Sequence, residues 1–352
     1  MKTKIIIPGC LISILIIGLL NPCFAQSRRG TTTANFLEIS MGTGSAMGDA
    51  NVAITNDLMS IYWNPAGLAF MNKSEAKFSN QPYFLDSGIQ FVGVGIVVRR
   101  VATFALGITH MGFGETEVTT LTDPEGTGEK YTANDYAISF SIGRRLTNWF
   151  AFGATGKYIA SQIWHMNASG AALDLGVLIN TDFFSSKGRG TDGLNIGMSI
   201  SNYGGGFSYD GIDLYRPIDI DVNAGGNYAG ASGKFHTKKW EFPFIFRIGF
   251  SIKRYITSVQ DLIIAVDALH PNNNSESINI GGQYHIDIPG VGDFYLRGGY
   301  KGIGDPKSIF GFTYGAGILY NIGPYITTKI DVGYKTISDL GNVLIYEFSV
   351  LF

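Results

Sequence analysis

The chain has two cysteines, Cys10 and Cys23, and both fall within its first 25 residues. Everything downstream is cysteine-free, which excludes disulfides, thiolate metal sites and a cysteine nucleophile there. Charge is also scarce. Asp, Glu, Lys and Arg make up 15% of the residues, against roughly 25% in soluble proteins. The net charge of −2 shows no basic excess of the kind that holds nucleic acid. Beyond residue 25 no apolar run approaches the roughly 20 residues that a spanning helix needs. Catalytic constellations are missing too. The five histidines (His110, His165, His236, His270, His285) are scattered without metal-ligand spacing, no Gly-x-Ser-x-Gly elbow occurs, and no carboxylate pair stands out. The expectation is a non-enzymatic protein with no cofactor, no metal and no nucleic-acid partner.

Residues 1–25 have the form of a secretory signal. Lys2 and Lys4 supply the positive end, 5–20 is almost wholly apolar, and Cys23-Phe24-Ala25 offers a cleavage site. A membrane anchor fits less well, because Pro8 and Gly9 interrupt the run and it is short for a span. A lipoprotein fits least, because Asn21-Pro22 does not supply the small residues wanted before a lipidated cysteine.

What is abundant is glycine (47), with 24 Phe and 18 Tyr. A charge-poor chain without a long apolar run is either a soluble all-β protein or a transmembrane β-barrel, whose lipid face is spread over every second residue. Alternation favours the barrel. In 89–98, Val92, Val94, Ile96 and Val98 share one face, with Gly93, Gly95 and Val97 on the other. In 101–113 Phe104, Leu106 and Ile108 oppose Thr103, Ala105 and Gly107; in 135–145 Tyr136, Ile138 and Phe140 oppose Ala137, Ser139 and Ser141. A solvated sandwich face would carry Lys and Glu where these strands carry Gly and Ser. Such a small polar face suits a lumen.

About fourteen such segments are predicted, at 74–84, 87–98, 101–117, 131–145, 149–163, 168–180, 192–203, 241–253, 260–270, 276–287, 292–302, 308–321, 325–336 and 341–352. Short connections (99–100, 144–148, 289–290, 323–324) alternate with longer polar ones, notably 120–131 and 204–240. That asymmetry is the one expected of periplasmic turns and extracellular loops. The connection 181–192 is long for an inner turn, and RPIDIDVNAGGNY within 204–240 is a candidate hairpin. The chain ends NVLIYEFSVLF, where Tyr346, Phe348, Val350 and Phe352 alternate up to a terminal aromatic, like the signal by which outer-membrane barrels are recognised for assembly.

The stretch 36–70, FLEISMGTGSAMGDANVAITNDLMSIYWNPAGLAF, is neither signal nor strand. Gly42, Gly44 and Gly48 interrupt regular structure there. Asn56 or Asp57 can cap a short helix over 58–62, and Asn64 can cap another that begins at Pro65. The glycine spacing has the look of a dinucleotide loop, but that chemistry needs a buried strand before it and a helix after it, whereas here a polar post-signal segment precedes it and barrel strands follow. A half-apolar knot ahead of a strand array fits a plug, or hatch, over 26–72 with the barrel at 73–352. On the inward faces of adjacent predicted strands, Lys157 and Asp174 are candidates for an ion pair inside the lumen. Tyr136, Phe140, Phe150, Phe152 and Tyr158 face outward, as lipid-facing body or interfacial girdle.

The 36–70 stretch, with Asn64-Pro65-Ala66-Gly67 at its core, resembles the N-terminal signature of the PorV/PorQ group of outer-membrane proteins, relatives of FadL-type transporters. SISNYG (199–204), FPFIFRIGFS (242–251), AVDALHPNNNSESINIGGQYHI (265–286) and LRGGYK (296–301) are similar to the same group. Gln283, where Glu would be expected, and Thr43-Gly44-Ser45 depart from its pattern. The resemblance implies a fourteen-stranded barrel in the bacterial outer membrane with an N-terminal hatch of short helical pieces. Partners so implied are outer-membrane lipid, the barrel assembly machinery, type IX secretion components and the C-terminal signals of exported cargo. Docking of cargo on loops 115–131 and 204–240, which carry Phe207, Tyr209 and Tyr215, is the leading expectation. Passive passage of hydrophobic solutes through a hatch-gated opening, as in FadL-type proteins, is the alternative.

Overall fold

The computed structural model describes residues 32–188, 191–221, 223, 230–305, 308–338 and 341–352. The expected export signal over 1–25 lies outside the described residues.

The alternating stretches become strands. They are β1 (Glu75–Pro82), β2 (Gly88–Val98), β3 (Ala102–Glu117), β4 (Lys130–Arg145), β5 (Phe150–Ile163), β6 (Met166–Asn180), β7 (Gly193–Gly204), the short β8 (Asp210–Gly211), β9 (Tyr215–Ile218) and β10 (Ala231–Lys234), then β11 (Ile245–Tyr255), β12 (Gln260–Pro271), β13 (Ser277–Ile288), β14 (Gly292–Ile303), β15 (Phe310–Ile322), β16 (Ile326–Ile337) and β17 (Gly341–Leu351). Fourteen of them, β1–β7 and β11–β17, form a closed antiparallel barrel. Each pairs with its sequence neighbour, β7 pairs with β11 across the 204–240 excursion, and β1 pairs with β17 to close the wall, Phe78 opposite Phe348. The last residue completes this ladder: Phe352 and Ser74 exchange backbone hydrogen bonds of 2.9 and 3.1 Å.

The wall is inside-out relative to a soluble protein. Val92, Leu106, Phe140, Tyr158, Phe312 and Phe348 point outward and are exposed, while Lys77, Asp174, Asp267, Asp331 and Glu347 are buried on the inner face. Lipid demands this arrangement, since charge and unpaired polar groups are tolerated only inside the barrel. No described helix is long and apolar enough to cross a membrane; the strands do so.

Both ends of the barrel chain lie at the rim of short turns, periplasmic in outer-membrane barrels. Strand bounds agree with the sequence pattern to within four residues. The largest shift is at β11, which starts at Ile245 and not at 241. Pro243 has no N–H to give a ladder, and Phe242 turns into the core. The 181–192 turn is held by one carboxylate. Asp192 accepts from the Ser185 and Ser186 hydroxyls and from the Ser186 and Lys187 N–H groups, at 2.6 to 3.0 Å. These donors hold its pKa below the ordinary carboxylate range. In the excursion, β9 and β10 form a hairpin, Tyr215 opposite Lys234.

The first described residues run through the barrel from end to end. Thr32 is at the extracellular mouth, where its hydroxyl accepts from Asn273 at 2.8 Å and it bridges Glu241. Short helical pieces follow at Asn35–Glu38, Thr43–Met47, Ser60–Trp63 and Pro65–Phe70. The path ends at the periplasmic rim, where Lys73 donates to Thr327 at 2.9 Å.

Cysteines placed at Ala76 and Val350, opposite one another across the β1–β17 seam, lie within disulfide reach. Oxidation of that double variant, in a barrel otherwise free of cysteine, should join the two ends of the barrel. A failure to cross-link, read as unchanged mobility on non-reducing gels, would refute the closing register.

Candidate functional site

The lumen is not empty, and its two halves meet the N-terminal segment by different physics. Against β2 to β6 the contact is apolar. Leu58, Met59, Ile61, Trp63 and Leu68 are buried with Ile89, Phe91, Ala105, Ala137 and Ile159 of the wall in one cluster. Tyr62 and Trp63 meet edge to face at 4.8 Å. Burial pushes the Tyr62 phenol up; its hydroxyl donates to the Glu38 carbonyl at 3.1 Å.

Against β12 to β17 and β1 the contact is ionic and directional. Wall carboxylates take up backbone N–H groups that the segment's irregular course leaves over. Asp267 accepts from Asn51 and Val52 at 2.7 and 2.9 Å, Glu75 from Leu58 at 2.9 Å, and Glu347 from Thr43 at 2.8 Å. Lys77, fully buried, sits among three of the acids: Asp57 of the segment at 2.5 Å, Glu75 at 3.4 Å and Glu347 at 3.9 Å. Burial opposes ionisation of Asp57, but Lys77 outweighs it and holds that carboxyl down. Lys301 holds Asp49 at 2.5 Å, and Gly48 N–H donates to Thr313 at 2.8 Å. Gly48 is left-handed (φ 64°) and so close to β13 and β14 that a Cβ would lie 2.6 Å from the Ile280 carbonyl oxygen.

The Asn64 motif lies at the periplasmic half. Asn64, wholly buried, accepts from Ala66 N–H at 3.1 Å, capping the Pro65–Phe70 turn. Its amide donates to the carbonyls of Val52 at 2.9 Å and Val177 of β6 at 3.0 Å. One side chain thus ties the segment to itself and to the wall. Gly153 and Gly176 lie flush against Asn64, Pro65 and Ala66, leaving no room for a Cβ at either place. Gly67 has equally little space, against Thr55 and Ser60. Lys157 and Asp174 stand 2.6 Å apart. Both reach Asn202, the lysine donating to its side chain at 2.8 Å and the aspartate accepting its N–H at 2.7 Å. Asn202 has φ 62° and lies where the β6–β7 register slips. The pair therefore holds a bulge in the wall.

Residues 23–231 match the family model described as type IX secretion system protein PorV. The chain belongs to the PorV family. No curated protein matches this PorV-family chain at a significant level. Among solved structures, a Pseudomonas aeruginosa FadL homologue is similar at TM-score 0.55 and 11% identity, covering 93% of this chain and 99% of that one. The Ralstonia pickettii toluene transporter TbuX (TM-score 0.52, 10% identity, 90% and 98% covered) and the Pseudomonas putida toluene transporter TodX (0.54, 10%, 88% and 95%) are similar too. At such identities they share the fold of the PorV-family barrel and nothing more is carried over.

Two expected features of the outer loops change. Phe207 is buried, meeting Phe242 at 5.5 Å, and Tyr209 packs on it at 5.6 Å. Both aromatics fold back into the mouth because β8 pairs with β6 and draws the excursion inward; Tyr215 alone of the three is exposed. Asn64 apart, the residues that hold the segment carry no sequence motif. Lys77, Arg247, Asp267 and Glu347 are nonetheless legible in the sequence as charges at inward strand positions. Among the described residues no cluster of three His, Asp or Glu side chains is arranged for a metal.

Replacing Lys77 with Met would leave buried acids without a cation and should cost ~3–5 kcal/mol. The temperature at which the folded band disappears on semi-native gels should fall. Lys130→Met, which removes an exposed pair with Glu115 at 3.1 Å, should change it little. Asn64→Ala removes three buried hydrogen bonds, a loss of ~2–4 kcal/mol. It should expose the N-terminal segment to protease while the barrel band persists; an unchanged cleavage pattern would contradict the tie.

Proposed function

We propose that the protein is a non-enzymatic outer-membrane component of type IX secretion that docks exported proteins at its extracellular face. Family membership supports the secretion assignment. The observation that carries the docking reading is the contrast between the two ends of the lumen. The centre is filled by a segment bonded to strands on opposite sides, whereas the extracellular end opens into a cup lined by Tyr83, Phe84, Leu269 and Phe310. A filled lumen conducts poorly and supports a surface well. In this reading 26–72 is the hatch, with Asn64, Pro65, Ala66 and Gly67 as its fixed point, and 1–25 is the export signal. Lys157 and Asp174 stiffen the wall, and Tyr346, Phe348, Val350 and Phe352 address the chain to the barrel assembly machinery. Deleting the gene should remove type IX cargo from the medium and cell surface; an unaltered secretome would exclude the role.

The FadL-like fold favours a second reading, hatch-gated entry of hydrophobic solutes. The observation for it is a small apolar cavity of about 20 Å³ under the segment, lined by Phe36, Met41, Ile61, Tyr62 and Phe91 and reaching Lys157. Liposomes bearing the protein should then take up such a solute, at a rate altered by Asn64→Ala. Uptake no faster than in empty liposomes would remove this reading.

A further inference from the structure

The lipid-facing rows of the wall do not all end alike at the periplasmic rim. Outward side chains recur at every second residue, so each row can be followed to its last member. On β2 the row runs Ile96, Val98 and, at the next place in the turn, Arg100. On β4 it runs Phe140, Ile142, Arg144, and on β11 Phe250, Ile252, Arg254. All three arginines are exposed. Lys187 of the 181–192 turn lies between β4 and β11 in the order of the wall, its ammonium 3.7 Å from the centre of the Tyr255 ring. Around the rest of the rim the rows end without charge, on Ile288 of β13, Ile322 of β15 and Phe352 after β17. The turns differ in the same way. Stretches 99–101, 144–149 and 253–259 contain cations and no acid, whereas 287–293 contains Asp287 and Asp293 and no cation, and 322–326 no charge.

The fold does not use these three charges. Among the described residues no carboxylate forms an ion pair with Arg100, Arg144 or Arg254, whereas Lys253 holds Asp261 at 3.3 Å. Arg145 turns to the N-terminal segment, its guanidinium 4.6 Å from the Phe70 ring and donating to the Ala69 carbonyl at 3.3 Å. Arg254 donates to the Phe184 carbonyl at 2.7 Å, which positions its fork without neutralising it. Large apolar side chains are exposed beside them, among them Val101, Leu146, Trp149 and Ile256. A cation one step beyond the last lipid-facing residue stands at the depth of the headgroup phosphates, while its apolar neighbours reach the acyl chains. A guanidinium matches a phosphate through two parallel hydrogen bonds. A zwitterionic headgroup brings its own ammonium, but an anionic one leaves a net charge for the arc to meet. A water-borne acidic protein does not reach the depth at which these apolar side chains lie.

We propose that the periplasmic rim from β2 to β12 is a binding site for anionic phospholipid of the periplasmic leaflet. Headgroup phosphates sit on Arg100, Arg144 and Arg254, and acyl chains lie against Leu146, Trp149 and Ile256. The site is independent of both readings of the function.

The test places the full chain in phosphatidylcholine nanodiscs, with a fluorophore on Leu146→Cys at the arc or on Tyr325→Cys at an opposite turn. Both are exposed sites in a barrel otherwise free of cysteine. A minor, equal fraction of the lipid is replaced by acyl-brominated phosphatidylglycerol or acyl-brominated phosphatidylcholine as quencher. At Leu146→Cys the phosphatidylglycerol should quench at least about threefold more than the phosphatidylcholine, and at Tyr325→Cys the two should quench alike. Arg100→Gln, Arg144→Gln and Arg254→Gln combined should remove the difference, and its persistence would overturn the proposal. Equal quenching by both lipids at Leu146→Cys also overturns it, and that comparison needs no arginine variant to fold. The same excess at both labels overturns it too, because anionic lipid would then gather around the rim without a site. No excess in nanodiscs, combined with poly-glutamate binding to the detergent-solubilised chain that the arginine variant loses, assigns the arc to an acidic protein instead.

Discussion

A barrel in lipid can place charge only on its inner face, and each charge placed there must be matched there. Much of this structure follows from how the matching is done. The inner wall carries acids at Glu75, Asp267 and Glu347, and backbone N–H groups of the N-terminal segment satisfy an oxygen of each. The converse also holds. A segment that runs as short turns cannot pair all of its own N–H groups, and inside the lumen the remainder need acceptors that the wall supplies. Wall and segment are each incomplete without the other.

The division of the lumen into an apolar and an ionic side gives the segment a defined rotational setting. Phe91 and Ile159 on one side accept only its hydrophobic side chains, while Asp267 and Lys301 on the other accept only a particular run of backbone and Asp49. Arg247 adds to this setting from the wall, lying over the Tyr62 ring at 5.4 Å.

The barrel was legible in the sequence because its signal is local: a period of two along each strand, repeated fourteen times and broken by turn residues. Asn64-Pro65 was legible for the same reason, since cap and first helical residue are adjacent. What could not be read was which inward charge meets which group, because Lys77 and Asp57, or Thr43 and Glu347, meet only through the closed fold. The direction of Phe207 and Tyr209 was equally hidden. A long polar connection carries no period, and their burial depends on Phe242 turning inward ahead of Pro243. Lys157 and Asp174 were visible as neighbours, but their common partner Asn202 lies on the far side of a register slip that no local pattern encodes.

The segment that enters at Thr32 and leaves at Lys73 is fastened at both rims and along its length. A door hung on one hinge could swing clear of the opening; a bolt through both walls can only slide, bend or unthread. The bolt also has an order of assembly built into it. Thr43 meets Glu347 across 304 residues of chain, so the part made first is locked by the strand made last.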